Sequence, residues 1–191
     1  MELVLASTSP YRRQLLERFG ISFTVATPDV REARLPGEAP EAMAARLARE
    51  KALAVAAAFR SALIIGSDQV ADCEGRVLGK PGDHERAAAQ LRSLSGREAV
   101  FHTAVCVHNA ATGATAGRVV PSRVRFRTLD DATIERYLAR ERPYDCTGSA
   151  KVEGLGIALL ERIESDDPTA LIGLPLIAVA GLLREHGIDV V

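Results

Sequence analysis

The sequence lacks the features that mark several classes of protein. It contains no low-complexity tract and no apolar run of membrane-spanning length, and no basic region followed by an apolar signal stretch opens it. Its net charge of −1 argues against a general nucleic-acid binder. With 47% apolar and 26% charged residues, it has the composition of an ordinary globular protein. We therefore expect a single cytoplasmic domain, residues 1–191, with neither a membrane nor a nucleic acid polymer as its partner.

Cysteine and histidine are too few and too scattered to form familiar metal or catalytic motifs. The cysteines are odd in number and have no Cys-x-x-Cys spacing, which predicts reduced structural thiols at Cys73, Cys106 and Cys146. No Ser–His or Cys–His pairing stands out as a nucleophile with its base. The histidines lack metal-ligand spacing and are interpreted as structural or surface residues: His84, His102, His108 and His186.

Near its start the chain combines a short apolar strand, residues 3–5, with a small polar turn and the beginning of a helix. Ser9 is a suitable N-cap, and Pro10 suits the first helical position. Arg12 and Arg13 then lie at the positive end of the helix dipole, which costs about 0.3–1 kcal/mol each unless an anion binds there. A phosphate chain would find guanidinium groups, backbone N–H groups and the hydroxyls of Ser7, Thr8 and Ser9. The alternative is a solvated arginine pair on an ordinary helix.

A long helix is predicted at residues 40–59, and a lysine interrupts its apolar stripe. The stripe consists of Met43, Leu47 and Val55. Lys51 falls between the last two, on the side expected to be buried. A lysine in such a position either extends to water or meets an anion, and both outcomes remain open. Arg46 and Glu50, four residues apart on a neighbouring face, are interpreted as a surface ion pair.

The aspartate that follows an apolar strand is the strongest candidate for a catalytic residue. The strand, predicted at residues 61–70, runs through Leu63-Ile64-Ile65 and then reaches Gly66-Ser67-Asp68-Gln69. A carboxylate just past a parallel-type strand lies where α/β proteins place their clefts, and it can serve there as a base. The alternative is that Asp68 initiates a turn before a hairpin at residues 72–75.

A glycine-rich stretch at residues 75–81 matches the phosphate-binding pattern GxxxxGK[ST] only in part. Its glycine spacing is one residue short, and Pro81 stands in place of the hydroxyl that would hold Mg²⁺. We therefore interpret Gly79-Lys80-Pro81 as the end of a strand.

Basic residues alternate with apolar ones in the second strand of a hairpin predicted at residues 100–107 and 119–126. Its apolar face contains Val124 and Phe126, and its basic face consists of Arg123, Arg125 and Arg127. Such a row is typical of a solvated sheet face, while contact with substrate or a partner subunit is the alternative.

The segment at residues 145–156 has the composition of a mobile binding loop. Its three glycines allow the backbone to approach a ligand closely. Its isolated charges, Lys151 and Glu153, either meet a ligand or pair with each other.

Five separated motifs resemble those of the Maf family of nucleoside triphosphate pyrophosphatases. They are Leu3 to Leu16 (LVLASTSPYRRQLL), Arg46 to Ala52 (RLAREKA), Ile65 to Val70 (IGSDQV), Gly79-Lys80-Pro81 and Gly173-Leu174-Pro175. Within the family, Ser67-Asp68-Gln69 and the run from Gly148 to Gly154 are similar to the branch that hydrolyses 7-methyl-GTP. The resemblance implies an α/β fold with an elongated mixed sheet, flanking helices and two lobes around a cleft.

The resemblance also assigns roles to residues. It implies that Asp68 prepares water for attack and that Glu32 and Asp68 hold a divalent cation, Mg²⁺ or Mn²⁺. From the residues alone, a solvated loop acid is the favoured interpretation of Glu32. The residues implied to bind the phosphates of a nucleoside triphosphate are Ser7, Ser9, Arg12, Arg13, Lys51 and Lys80.

Base specificity is implied to depend on three residues: Tyr11, Gln69 and Glu153. A 7-methylguanine ring is cationic and favours an aromatic face and a carboxylate. Tyr11 departs from the family pattern, in which we expect tryptophan, the stronger cation–π partner; this sequence contains no tryptophan. From the residues alone, Tyr11 is equally a surface residue of the first helical turn.

The expected activity is hydrolysis of 7-methyl-GTP to 7-methyl-GMP and pyrophosphate, which removes modified nucleotides from the pool. Two alternatives remain open: a pyrophosphatase for dTTP, UTP or a broad range of nucleotides, and a nucleotide-binding regulator of septum formation that does not depend on turnover. The resemblance also allows a homodimer, which no residue of the sequence determines.

Overall fold

The structure is a computed structural model that describes residues 1–191. It has an α/β fold, as predicted, with a mixed sheet of seven strands. The strands are β1 (Leu3–Ala6), β2 (Thr24–Ala26), β3 (Leu63–Cys73), β4 (Arg76–Leu78), β5 (Glu98–Asn109), β6 (Thr115–Phe126) and β7 (Leu160–Ser165). The α-helices are α1 (Pro10–Glu17), α2 (Pro40–Ala56), α3 (His84–Leu94), α4 (Asp131–Glu141) and α5 (Leu176–Arg184). Each of these helices is too short or too polar to cross a membrane.

The sheet places the N-terminal strand between two parallel neighbours. The strand order is β2-β1-β3-β5-β6-β7, and the short β4 pairs with β3 as an antiparallel hairpin. β1 runs parallel to both β2 and β3, with Leu5 opposite Val25 on one side and Ile65 on the other. All four residues of β1 are buried. This burial explains the uninterrupted apolar run at the start of the sequence, because parallel strands are covered on both faces.

The chain forms two compact units. The first consists of residues 1–69, 103–120 and 167–191. Its core brings side chains of β1, α1 and α5 together, including Leu5, Leu16 and Val179. α2 packs against β3 at Gly66, so closely that a Cβ atom there would lie 2.1 Å from the carbonyl oxygen of Ala48.

The second unit consists of residues 70–102 and 121–166. Its helices α3 and α4 contact each other. Both are capped by aspartates that accept hydrogen bonds from the first helical turn: Asp83 from the Arg86 N–H group and Asp130 from the Thr133 N–H group. The sequence predicts a helix capped by Asp83 with Ala87, Leu91 and Leu94 on its buried face, and the structure confirms the helix, the cap and the burial of all three.

Three strand boundaries differ from the predictions. Residues 21–25 alternate between apolar and polar side chains, which predicts a strand there, but the strand is only Thr24–Ala26, because Ile21 and Phe23 pack on the core outside the sheet. The strand expected to end at residue 70 continues to Cys73, since β4 pairs with its last residues. Asp68 lies inside β3, which corrects the expectation that this carboxylate lies just past the strand. The last strand begins at Leu160 because Leu155–Leu159 forms a 3₁₀ helix.

The arginine row of β6 is a solvated face neutralised by glutamates. Val124 and Phe126 are buried, and the three arginines between and after them are exposed. Arg123 lies 3.7 Å from Glu98, and Arg125 lies 3.9 Å from Glu161 on β7. In the single chain the row is exposed and paired with glutamates, which is what the solvated interpretation predicts.

Candidate active site

In the first unit, polar residues interrupt the apolar run of β3. Side chains alternate between the two faces of a strand, so Ser67 and Gln69 face one side and Asp68 the other. Ser67 Oγ lies 2.8 Å from the carbonyl oxygen of Ala104 and 3.1 Å from that of Gly173. Gln69 Nε2 donates toward the carbonyl oxygens of Leu171, at 3.0 Å, and Ala170, at 3.1 Å. One face of the strand thus holds the segment at residues 170–173.

On the other face, Lys51 joins two carboxylates. Its Nζ lies 2.5 Å from Asp68 Oδ1 and 2.5 Å from Glu32 Oε1. The Lys51 side chain is 8% exposed and that of Asp68 10%, whereas Glu32 is 58% exposed. Of the two outcomes that the sequence left open for Lys51, the lysine meets an anion, and its anionic partners are the two carboxylates implied to hold metal.

The loop that carries Glu32 is held to α2 by Arg46. The Arg46 guanidinium binds both carboxylate oxygens of Glu38, at 2.6 and 2.8 Å, and its Nη2 donates to the carbonyl oxygen of Ala33 at 3.0 Å. This hydrogen bonding from Arg46, supported by the Leu35 N–H group, lowers the pKa of Glu38 to about 2. The expected contact of Arg46 with Glu50 is present at 3.1 Å, but sequence reasoning missed Glu38, which lies outside the helix.

The adjacent arginines of α1 have different environments. Arg12 Nε donates to the carbonyl oxygen of Gly173 at 2.9 Å. Burial lowers the pKa of the Arg12 guanidinium, while the negative charges of Asp68 and Glu32 act in the opposite direction. Arg13 is 63% exposed and pairs with Glu17 at 2.9 Å. Only Arg12 therefore joins the group formed by Lys51 and the two carboxylates.

The hydroxyl-rich turn before α1 is built by its own serines. Ser7 is buried, and its Oγ accepts a hydrogen bond from the Ser9 N–H group at 3.1 Å. Ser9 Oγ accepts from the Arg12 N–H group at 3.4 Å, so the predicted N-cap is confirmed. Tyr11 is half-buried in the first turn of α1.

A buried aspartate missed by sequence reasoning supports the segment at residues 170–173. Asp167 is 2% exposed, and its Oδ1 accepts from both the N–H group and the hydroxyl of Thr169, at 3.0 and 2.6 Å. Its Oδ2 accepts from the Ile177 N–H group at 2.7 Å, in the first turn of α5. The Thr169 hydroxyl in turn accepts from the Leu176 N–H group at 2.8 Å. The pattern Asp-Pro-Thr before an apolar helix was the available signal, and it was interpreted only as a turn.

In the second unit, α4 holds the loop that was expected to be a mobile binding segment. Lys151 pairs with Glu141 at 3.2 Å, and its N–H group donates to the hydroxyl of Tyr137 at 2.9 Å. Glu141 Oε2 also accepts from the Leu155 N–H group at 2.7 Å, and this bond is the main cause of its lowered pKa. A Cβ atom at Gly154 would lie 2.6 Å from that oxygen. The partner of Lys151 in the salt bridge is thus Glu141 and not Glu153.

Two further predicted site residues lie in this second unit and are exposed. Lys80 follows β4 and forms no ion pair. Glu153 lies in the loop that Glu141 holds. The residues that the structure brings together in the first unit are Arg12, Glu32, Lys51 and Asp68, with Gln69 bound to the segment at residues 170–173.

A family model described as "Maf-like protein" matches residues 2–186. The chain belongs to the Maf family. Its similarity to individual members is also extensive. A relative from a Polaromonas species is 58% identical over 186 residues, covering 97% of this chain and 85% of the relative. One from Cupriavidus pinatubonensis is 56% identical over 185 residues, covering 97% and 93%. One from Nitrosospira multiformis is 54% identical over 190 residues, covering 100% and 96%.

These three Maf proteins share one printed name, "7-methyl-GTP pyrophosphatase". The matches extend over nearly the whole chain, so they include each motif from which the resemblance was inferred. Family membership therefore rests on similarity along nearly the whole sequence and not on a single short pattern.

The donor set of this Maf protein fits a hard divalent cation shared with phosphate. Glu32 and Asp68 converge on one cation position, that of the Lys51 ammonium. No cluster of three or more His, Cys, Asp or Glu side chains is present that would form an all-protein cage. Mg²⁺ is commonly held by one or two carboxylates together with substrate phosphates and water, and Mn²⁺ accepts the same oxygen ligands.

Proposed function

We propose that this chain hydrolyses 7-methyl-GTP to 7-methyl-GMP and pyrophosphate with the help of a divalent cation. The observation that carries the proposal is its identity of 54–58% to relatives of that name over nearly the full chain. The convergence of two cations on two carboxylates in the first unit supports the same chemistry, because phosphoryl transfer depends on charge neutralisation and positioning. By removing 7-methyl-GTP, the enzyme would clear a modified nucleotide from the pool.

The phosphate chain would be bound by cations and by the first turn of α1. Arg12 and Lys51 supply positive charge beside β3, and the turn shaped by Ser7 and Ser9 supplies backbone N–H groups. Arg13 is an exposed cation that would bind an outer phosphate in this proposal, and the family resemblance assigns Lys80 to the same task. Glu32 and Asp68 would hold a divalent cation, which would supply positive charge to the phosphoryl oxygens.

Asp68 is the proposed general base. Its Oδ1 faces the cation position that Lys51 occupies in the structure, and Oδ2 would accept a proton from the attacking water. The water oxygen attacks the α-phosphorus, the bond from that phosphorus to the bridging oxygen breaks, and pyrophosphate leaves. In the structure, the positive charges of Arg12 and Lys51 compensate the negative charge of the buried Asp68.

The methylated base would be recognised by Tyr11, Gln69 and Glu153. The amide nitrogen of Gln69 is already bound by main-chain carbonyl oxygens, so its Oε1 is the atom that faces a ligand. Tyr11 supplies an aromatic face, and Glu153 supplies a carboxylate for the positive charge of 7-methylguanine.

Pyrophosphate release from 7-methyl-GTP, GTP, UTP and dTTP tests this proposal, with Mg²⁺ or Mn²⁺ and after treatment with EDTA. We expect selective release from 7-methyl-GTP that requires the cation. Asp68→Asn should lower kcat by about a hundredfold or more. Asp131→Asn, at an exposed position of α4, is the matched control and should retain full activity.

Other outcomes would lead to different conclusions. A preference for UTP or dTTP would keep the reaction and overturn the roles of Tyr11, Gln69 and Glu153. Release that persists in EDTA would overturn the role of the cation. Nucleotide binding without release from any substrate would favour a nucleotide-binding regulator of septum formation.

A further inference from the structure

Lys51 occupies the position that a divalent cation would need. Its Nζ lies 2.5 Å from Glu32 Oε1 and 2.5 Å from Asp68 Oδ1. Mg²⁺ binds carboxylate oxygens at about 2.0–2.1 Å, so an ion that bridged these two oxygens would lie where the ammonium now lies. The ammonium and the ion exclude each other by size and by charge.

We propose that Lys51 competes with the divalent cation for Glu32 and Asp68, and that it transfers to the phosphate of the substrate when the cation binds. In the metal-free protein the ammonium holds the two carboxylates together. In the complete complex the cation takes that place, and the ammonium pairs with a phosphate oxygen. The inference rests on the proposed function for the presence of a cation and a phosphate.

The surroundings of Lys51 fix its backbone and leave its head group free to move. α2 is anchored on β3 through the close approach of Ala48 and Ala52 to Gly66. Leu47 and Val55, which flank Lys51 in the apolar stripe of α2, are buried and hold the helix in place. A lysine ends in a compact ammonium on a flexible four-carbon stem, which can exchange one anion for another by changing rotamers.

The carboxylates are equally suited to the exchange. Asp68 is fixed by β3, whereas Glu32 is 58% exposed and lies in a loop that Arg46 holds through Glu38. Glu32 can therefore adjust its side chain to an ion with shorter bonds while its loop stays in place. The buried Asp68 always keeps a cationic partner, which avoids the cost of an unpaired buried charge.

Competition of this kind couples the cation to the nucleotide. Without nucleotide, the cation has to displace Lys51 and leave a buried ammonium without its partners, so its affinity is low. A triphosphate supplies Lys51 with a new anion, so each ligand raises the affinity for the other by the same factor. The protein would thus acquire its cation together with the substrate.

Direct binding of Mn²⁺ without nucleotide, measured by electron paramagnetic resonance, tests the competition. Lys51→Gln removes the ammonium and should raise the affinity for Mn²⁺ by about tenfold or more, a change of about 1.4 kcal/mol. Lys51→Arg keeps a cation between the carboxylates and should change the affinity by less than about threefold. Arg60→Gln removes one exposed positive charge of the first unit that has no role in the proposed site, and the affinity should again change little. Equal or weaker binding by Lys51→Gln, or no binding by any variant, would overturn the proposal.

A measurement on the unaltered protein avoids dependence on the folding of the variants. Reductive methylation followed by mass spectrometry reports how accessible each lysine amine is. Addition of Mg²⁺ should increase the methylation rate of Lys51 severalfold, because the cation displaces its ammonium from the carboxylates. Lys151, which pairs with Glu141 in the second unit, serves as the internal reference and should react at the same rate with and without Mg²⁺. An unchanged rate at Lys51 would overturn the proposal.

These outcomes are independent of hydrolysis. A protein that releases no pyrophosphate but binds Mn²⁺ more tightly as Lys51→Gln would overturn the proposed function and leave the competition intact. An active enzyme whose cation affinity does not depend on Lys51 would give the opposite result.

Discussion

Arg12 and Arg13 are adjacent in the sequence but differ in burial and in their partners. Arg12 donates to the carbonyl oxygen of Gly173, and its guanidinium is influenced by Asp68 and Glu32. Arg13 is exposed and paired with Glu17 in the next helical turn. Near the start of α1, the positive charge of Arg12 is therefore balanced by Asp68 and Glu32, and that of Arg13 by the exposed Glu17.

Substitution of these arginines should separate their roles. Arg12→Gln should lower kcat/KM by about a hundredfold, a loss of about 2.7 kcal/mol in transition-state stabilisation, because it removes a buried cation that faces the carboxylates. Arg13→Gln should lower kcat/KM by less than about tenfold, because an exposed pair contributes little. Steady-state kinetics with 7-methyl-GTP will measure both, and equal losses would contradict the distinction.

The Glu38–Arg46 contact should give the protein a defined acid sensitivity. The pKa of Glu38 is lowered from 4.5 to about 2 in the folded state, so its contribution to stability is complete above about pH 4.5 and disappears as the pH falls through about 2. Urea unfolding at pH 6, 4 and 3 should show that the stability difference between the wild type and Glu38→Gln shrinks as the pH decreases. A difference that stays constant across this range would contradict the assignment.

At the scale of elements, the packing of α2 on β3 depends on one glycine. A Cβ atom at Gly66 would lie 2.1 Å from the Ala48 carbonyl oxygen and 2.7 Å from the Ala52 nitrogen, both atoms of the helix backbone. The helix therefore cannot keep its distance from the strand if this residue acquires a side chain. Because Lys51 and Asp68 belong to these two elements, the same contact sets the geometry of the site.

Gly66→Ala should accordingly destabilise the protein. We expect the free energy of unfolding to fall by about 1–3 kcal/mol or more, as overpacking of a core typically costs. Gly181→Ala is the matched control, since nothing lies within 4 Å of a Cβ atom there and the residue is inside α5. That change should raise stability by about 0.5–1 kcal/mol through helix propensity. Thermal unfolding of both variants provides the comparison.

The elements were predictable where the pattern of residues is local. The Ser9, Asp83 and Asp130 caps and the apolar stripe of α2 follow from spacing in the chain, and the structure contains all of them. Asp130 also precedes its helix at the position of an N-cap, although the helix was predicted to begin only at Thr133. Contacts between distant segments were not predictable in this way, because no spacing reveals them.

Particular residues of the site illustrate that limit. The family resemblance indicated Lys51, Glu32 and Asp68, but not that one ammonium contacts both carboxylates. Asp167 and Thr169 support a segment whose carbonyl groups accept hydrogen bonds from a residue about a hundred positions earlier in the chain. They were missed because sequence spacing does not reveal so distant a contact. Glu38 was missed because its partner Arg46 is in a different element.

At the scale of the whole molecule, the chain has three free thiols that differ in burial. Cys73 and Cys106 are buried, and burial raises the pKa of both, that of Cys106 to about 11. Cys146 is only half-buried. The expectation of structural thiols therefore fits Cys73 and Cys106 best.

Titration with Ellman's reagent at pH 8 should reveal this difference. One thiol of the native protein, Cys146, should react within minutes, whereas Cys106 should react slowly because only about a thousandth of it is thiolate at that pH. In denatured protein, all three thiols should react with the reagent at once. A Cys146→Ser variant with an unchanged fast phase would contradict the assignment.

The hydrogen bond from Arg12 to Gly173 joins two residues that are 161 positions apart. Because synthesis proceeds from the N-terminus, the arginine leaves the ribosome long before the carbonyl group that orients it. The hydrogen bonds of Asp167 also require the N–H group of Ile177 in α5, so they are completed later still. A nascent chain can thus form most of its sheet while the candidate site stays unfinished, and catalysis begins only after the last helix has been translated and has docked.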